Sequence, residues 1–402
     1  MTTSKLKKII EDDSKFLYQI YGKRQEVCFV KGKGSFLYDQ DGKEYIDLFT
    51  GVAVSNLGHS HPGINAALKK QSELILHSSN HYYNKNQIEV AQLISELAFA
   101  GKTLFVNSGT EANEAAIKLV RKYGLEQNKN KIEILSFYNS FHGRTFGSMT
   151  ATGQKKIHEG FGPLPKGFTY IPFNDIKAFK KAAKKGKTAA VITELVQAEG
   201  GVIPAQKAFI SELFDICQKY DILTIVDEVQ TGMGRTGSPF AFQHYGVMPD
   251  IITLAKGLGG GLPLGAIHTK DFLLPYFPRG AHGTTFGGNH LACALSSAVL
   301  SEFKKANFFK EANKTSDYIF KRLNDIKSQT NIIQDIRGLG LLIGIEINSD
   351  APAIVRKALE CGLIINSTSE KVIRIAPALN IKMKEIEAGM NMLENILIGE
   401  KK

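Results

Sequence analysis

Between about residues 62 and 294, short apolar runs recur with helical segments between them, and no other feature constrains the fold of this chain as much. Helical spacing is present at 62–76, 87–98 and 111–123. Strand-like runs stand at 103–106, 132–136, 189–195, 222–226 and 251–254. Strands that alternate with helices predict an α/β domain with a mostly parallel sheet, because parallel neighbours need a crossover rather than a tight turn. We place this large domain at 62–294. Outside it the pattern changes. Residues 4–21 have helical spacing, 32–47 alternate around Gly34 and Asp41-Gly42 as a hairpin does, and an apolar helix is expected at 291–308. The runs 338–346 and 372–376 read as two short strands. Segments 1–61 and 295–402 are therefore expected to form one small α+β domain.

Size and composition narrow the function classes. With 402 residues, 43% of them hydrophobic, the chain can bury a core large enough for two domains. No stretch approaches the roughly 18 apolar residues of a membrane helix, and the first eight residues lack the apolar centre of a secretory signal, so no membrane partner and a cytoplasmic location are expected. Cys28, Cys217, Cys293 and Cys361 are far apart without C-x-x-C spacing, which predicts reduced thiols rather than disulfides or zinc. The net charge of +11 is diffuse. Its densest run, 180–187, has no interleaved aromatics, so no nucleic-acid partner is expected and the excess suits dicarboxylates and phosphates. His59 and His61 have a ligand-like spacing but no third ligand cluster, and no metal is expected.

Two apolar runs end in chemistry. One runs from Asp250 to Lys256 and opens onto the glycine-rich segment 257–265; the other runs from Asp221 to Asp227. Such strand ends bring an amine and a carboxylate to neighbouring space. A lysine can hold a pyridoxal aldehyde, and a carboxylate can keep the pyridine nitrogen protonated so that the ring accepts electrons. In 107–113 a strand gives way to a small, glycine-containing turn and then a helix, whose free N–H groups suit a phosphate seat, the alternative being a capped helix. The loop 139–145 carries Phe141, suited to cover a ring, and Arg144, suited to grip a carboxylate.

Five motifs in order, Asn107-Ser-Gly-Thr-Glu-Ala-Asn113, Phe141-His-Gly-Arg-Thr145, the Asp227–Thr236 run, Leu254-Ala-Lys-Gly257 and Thr284-Thr-Phe-Gly-Gly-Asn289, resemble those of the class III pyridoxal-phosphate aminotransferases. The resemblance spans about residues 30–381. It implies a fold-type I transferase with pyridoxal 5'-phosphate as cofactor. Gly109 and Thr110, beside Ser108, would hold the phosphate, and Phe141 would stack on the ring. Asp227 would pair with the ring nitrogen, with Glu228 and Val229 alongside, and Gln230 would lie near the ring hydroxyl. Lys256 and Asp227 are the expected catalytic residues. Thr285 matches a position that reaches the phosphate from the other subunit, with Thr284 beside the substrate, so a homodimer with shared active sites is implied.

The resemblance also identifies Glu199 as a gate over Arg374, although Leu195 stands where relatives carry proline and Ala198 where they carry glycine. It implies a terminal-amine donor whose carboxylate is held by Arg144, then glutamate held by both arginines while Glu199 swings aside. Val52 aligns where ornithine-specific relatives carry tyrosine. Room at that position favours N-acetylornithine as donor and 2-oxoglutarate as acceptor, in arginine biosynthesis. Succinylated amines (succinylornithine, succinyldiaminopimelate), free ornithine, 4-aminobutyrate or an aminomutase reaction are the alternatives. Outside this family, the residues also admit a cofactor-free lysine aldolase, which leaves Asp227 and the phosphate seat unexplained, or a ligand-sensing or scaffold module without catalysis.

Overall fold

The computed structural model describes residues 3–399; the outermost positions of the expected small domain, 1–2 and 400–402, lie outside the described residues. Its largest sheet has seven strands. In chain order they are β1 (Lys102–Val106), β2 (Glu133–Phe137), β3 (Phe168–Ile171), β4 (Thr188–Thr193), β5 (Leu223–Asp227), β6 (Ile251–Leu254) and β7 (Gly265–Thr269), arranged β1-β7-β6-β5-β4-β2-β3. Neighbours from β3 to β6 are parallel. Strand β7 instead runs antiparallel to both β6 and β1. The ten residues between β6 and β7 contain only one short 3-10 turn and no crossover helix, too little chain to return to the starting edge of the sheet.

The central strands β4 and β5 are buried at every position, as expected where helices cover both faces of a sheet. Helix α1 (Gly109–Gln127) packs on the sheet through Ala112, Ala115, Ala116, Leu119 and Val120, where three alanines allow close approach. Its N-terminus lies directly after β1. The catalytic candidates therefore gather beyond the carboxyl ends of the parallel strands, where open α/β sheets bind ligands.

Two four-stranded sheets lie outside this one, and Val196–Gln197 pairs with Ile203–Pro204 in a two-stranded ribbon. Strands Phe29–Lys33, Phe36–Asp39 and Glu44–Asp47 form a meander whose last member pairs in parallel with Leu363–Ile364, so the two chain ends share a sheet. The other sheet joins Ile333–Leu339, Leu342–Ile347, Val372–Ile375 and Asn366–Ser367. On this basis we propose 62–294 as the large domain and the described parts of 1–61 and 295–402 as the small one. One apolar cluster runs across both, from Ile46 and Leu48 through Leu135 and Val226 to Ile373 and Leu393.

Several boundaries differ from expectation. The single strand expected at 338–346 is a hairpin, turning at Gly340, whose φ of 59° suits glycine. The helix expected at 291–308 divides into His290–Phe303 and a 22-residue helix, Phe308–Gln329. The first helix stops at Phe16 rather than 21, leaving Phe16 exposed at its end and Tyr18, Ile20 and Tyr21 exposed in an irregular segment. Among the described residues no helix is long and apolar enough to cross a membrane.

Candidate active site

Parallel pairing sets the catalytic distance. Strands β5 and β6 are in register with Asp227 opposite Thr253, and Lys256 follows just past the end of β6. Lys256 has φ 46°, a left-handed conformation that costs a non-glycine residue about 1 kcal/mol or more and is found where surrounding structure holds it for function. Its side chain enters a cavity of about 490 Å³ shared with Ser108, Phe141, Arg144, Glu194, Asp227 and Gln230. Removal from bulk water draws the amine down to about 8; Arg374 acts in the same direction, while Glu199, Asp227 and Glu194 oppose it.

Asp227 is 3% exposed and heavily supplied with donors. Oδ1 accepts the Val229 N–H at 3.0 Å, and Oδ2 accepts Asn113 Nδ2 at 2.8 Å and lies 2.8 Å from His142 Nδ1. Burial alone would raise this carboxyl, but the His142 bond and charge, with the Asn113 and Val229 bonds, hold it below its ordinary value. A buried anion facing the cavity is what a protonated pyridine nitrogen requires. Asn113 Nδ2 also donates to the His142 carbonyl at 2.7 Å, fixing the loop from β2 against α1.

The turn expected as a phosphate seat opens a helix beside the cavity. Ser108 caps α1 by accepting the Glu111 N–H at 3.2 Å, and Gly109 and Thr110 line the cavity with the first N–H groups of a 19-residue helix. Gly109 lies so near Val229 that an added Cβ would sit 2.7 Å from its Cγ1. Thr110 Oγ1 accepts the Arg144 N–H at 3.1 Å, joining the seat to the Phe141 loop. Gly143, at φ 135°, leaves no room for a side chain beside Thr110. The Arg144 guanidinium lies 5.6 Å from the Phe141 ring centroid. Amine, anion, phosphate seat and ring cover thus fit pyridoxal phosphate. So does the buried Nε2 of His142, which has no partner within the chain.

A second group of residues surrounds Arg374. Arg374 Nη1 donates to Glu199 Oε1 at 2.6 Å and to Gln230 Oε1 at 2.9 Å, and Nε donates to Asn366 Oδ1 at 3.0 Å. Gln230 Nε2 adds a bond to the same Glu199 oxygen at 3.3 Å. Arg374 is 3% exposed at its side chain and Glu199 31%, so the acid faces open space while the guanidinium stays covered. Burial alone would raise Glu199, but the charge and hydrogen bond of Arg374, the charge of Lys256 and the Gln230 bond together hold it below its ordinary value. Ala198 does not adopt a left-handed backbone, so replacing glycine there introduces no strain, and Leu195 is buried in the core.

Three expected positions are placed differently. Glu228 is fully buried and does not line the cavity; its carboxylate accepts from Thr231 Oγ1 and the Phe242 N–H. Val52 belongs to a left-handed turn, and Val54 is the residue that lines the cavity. Thr285 is exposed outside this chain's own cavity, while Thr284 Oγ1 accepts Asn107 Nδ2 at 3.0 Å near the phosphate seat. His59 Nε2 pairs with Asp47 at 2.8 Å. The sequence reading missed Asn113, His142 and Glu194. Asn113 carries a readable signal, since it follows Gly109 by four residues and shares its helix face.

Comparison with known proteins identifies the family. The model of the family described as aminotransferase class-III matches residues 20–397. An acetylornithine aminotransferase of Caldanaerobacter subterraneus is 46% identical over 391 residues, covering 97% of this chain and 99% of its own. One from Methanocaldococcus jannaschii is 46% identical, with 98% of each covered. Among solved structures, an ornithine aminotransferase from Toxoplasma gondii superposes with a TM-score of 0.94 at 30% identity, covering 98% of this chain and 96% of that one. An acetylornithine aminotransferase from Elizabethkingia anophelis gives 0.87 at 32%, covering 98% and 99%. With the motifs on the strand ends where the chemistry needs them, this chain belongs to the class III aminotransferases.

Proposed function

We propose that this aminotransferase moves the terminal amine of N-acetylornithine to 2-oxoglutarate, yielding N-acetylglutamate 5-semialdehyde and glutamate. The observation that carries the reading is the Glu199–Arg374 pair with Gln230 across it, beside a separate Arg144. Relatives at 46% identity bearing the acetylornithine aminotransferase name support the donor.

Pyridoxal 5'-phosphate, the family's cofactor, supplies when bound an electrophilic aldehyde and a ring that stores an electron pair. The chain does the rest. Lys256 Nζ, with its lowered basicity, removes a proton from the amine-bearing carbon of the donor and later returns one in the glutamate half. Asp227 stays anionic and Phe141 covers the ring. Arg144 holds the donor's distant carboxylate while Glu199 neutralises Arg374. Glutamate presents a second carboxylate, and Glu199 yields Arg374 to it. Asn366 and Gln230 keep the guanidinium partnered during the exchange.

We also propose a cytoplasmic homodimer in which Thr285 of each copy completes the phosphate seat of the other. Exposed Phe16, Tyr18, Ile20, Tyr21, Tyr82 and Tyr83 support an apolar interface with a second copy, and Thr285 is outside its own cavity. Purified enzyme supplied with 2-oxoglutarate tests the donor. N-acetylornithine should exceed ornithine and 4-aminobutyrate by at least about tenfold in kcat/KM, roughly 1.4 kcal/mol. Equal turnover of free ornithine overturns the assignment.

A further inference from the structure

We infer that Glu194 is a positioning residue whose single carboxyl group ties the loop presenting Phe141 to the loop carrying Glu199, so that ring cover and substrate gate are set together. The inference rests on the gate reading above. Its geometric basis is independent of the donor.

Glu194 is the first residue past β4, and β4 lies in the sheet between β2 and β5. That place lets one side chain reach both neighbouring loops. Its Oε2 accepts the Phe141 N–H at 3.0 Å, and its Oε1 accepts the Ala198 N–H at 3.3 Å. The side chain reaches the cavity wall, yet the residue is only 6% exposed, so water cannot readily replace either bond. Gln197 Nε2 donates to the Tyr138 carbonyl at 3.0 Å, and a Cβ on Gly200 would lie 2.6 Å from the Asn139 carbonyl oxygen. The two loops therefore meet on both sides of the carboxyl bridge, through the Gln197 side chain on one and a close backbone approach at Gly200 on the other. A shift of Phe141 pulls on Ala198, the residue immediately before the gate acid.

Both oxygens serve as acceptors, which an amide cannot reproduce: glutamine keeps one acceptor and turns a donor toward the other N–H. The test uses full-length Glu194→Gln, cofactor-free and cofactor-loaded. Amide hydrogen exchange should rise at least about tenfold in peptides covering both 139–142 and 196–199, in both forms, while α1 and Val372–Ile375 stay unchanged. In separated half-reactions of the loaded enzyme, the kcat/KM ratio between the terminal-amine donor and glutamate should shift at least about fivefold. If Glu194→Gln does not fold, Glu194→Asp, which keeps the carboxyl group but is too short to span both loops, should give the same pattern. Faster exchange in only one of the two segments, or a uniform rise across the chain, overturns the tie. Faster exchange in both with an unmoved ratio overturns its link to the gate. If N-acetylornithine proves not to be the donor, the exchange pattern still stands, so the two failures are distinguishable.

Discussion

Replacing Glu228 with glutamine should make the folded chain more stable at alkaline pH and less so at acid pH, and should leave cofactor binding nearly untouched. Glu228 is fully buried, and burial pushes its carboxyl up from 4.5 to about 7 despite bonds from Thr231, Phe242 and Ala241. The sign follows from proton counting. Between those pH values the native state holds a proton that the unfolded chain has released, so stability falls as pH rises through the window. The displacement amounts to about 3 kcal/mol, present below pH 4.5 and absent above about 7. Glutamine carries no charge and escapes that loss. Its oxygen can accept the Phe242 N–H, and its amide can donate to Thr231 Oγ1, whose proton turns to the Asp227 carbonyl at 3.4 Å.

Rearranging these bonds costs about 1 kcal/mol. The variant should thus be about 2 kcal/mol more stable than the parent at pH 8 and about 1 kcal/mol less stable at pH 4.5. Urea unfolding of cofactor-free protein at the two pH values measures both, and titration with pyridoxal phosphate should give dissociation constants within about twofold. Equal destabilisation at both pH values would refute the burial argument. A tenfold loss of cofactor affinity would return Glu228 to the cofactor site.

Competitive labelling of cofactor-free protein should find Lys256 half-reactive near pH 8, because its neutral form accumulates above that value; a midpoint above 10 would contradict the crowding of its amine. Glu199→Gln should slow the terminal-amine half-reaction at least about tenfold more than the glutamate half-reaction, since only the former needs Arg374 neutralised, and equal losses would dismiss the gate. Mixing inactive Lys256→Ala with Thr285→Trp protein, after exchange of subunits, should restore part of the activity if each cavity borrows Thr285 from its partner. Activity no greater than the sum of the separate variants would count against shared sites.

The sequence was most legible where local pattern and position coincide. Strand β6 matches its expected bounds, and β5 ends one residue beyond them, at Asp227, because uninterrupted β-branched runs leave few alternatives. Strand β7 was hidden: its first residue closes the glycine-rich segment, and its direction depends on a connection too short for a crossover. Strand β3, only four residues long, carried no distinctive period. Within the site, residues at strand ends or in a glycine turn could be read, whereas His142 and Glu194 owe their roles to contacts with segments 85 and 53 positions away. Glu228 shows the converse. Adjacency to Asp227 suggested the cofactor, but successive residues leaving a strand point to opposite faces, and the glutamate went inward.

Three buried carboxyl groups cluster near this strand end, and their donors decide which remains an anion. Burial raises all three. Glu194 has two backbone N–H donors and rises to about 7; Glu228, with a hydroxyl and backbone donors, does the same. Asp227 alone is held low, because His142 and Asn113 add side-chain bonds to the Val229 N–H and His142 adds charge. The low carboxyl at the cavity wall is thus a product of α1 and the β2 loop as much as of Asp227. Asn113→Leu, which removes the bond from α1 while filling similar volume, should therefore weaken pyridoxal phosphate binding at pH 8 by about tenfold, a loss of ~1.4 kcal/mol. It should do so more than Glu228→Gln, although Glu228 is next to Asp227 and Asn113 is 114 positions away. If the order of the two variants were reversed, proximity in sequence rather than the supply of donors would govern the charge at this site.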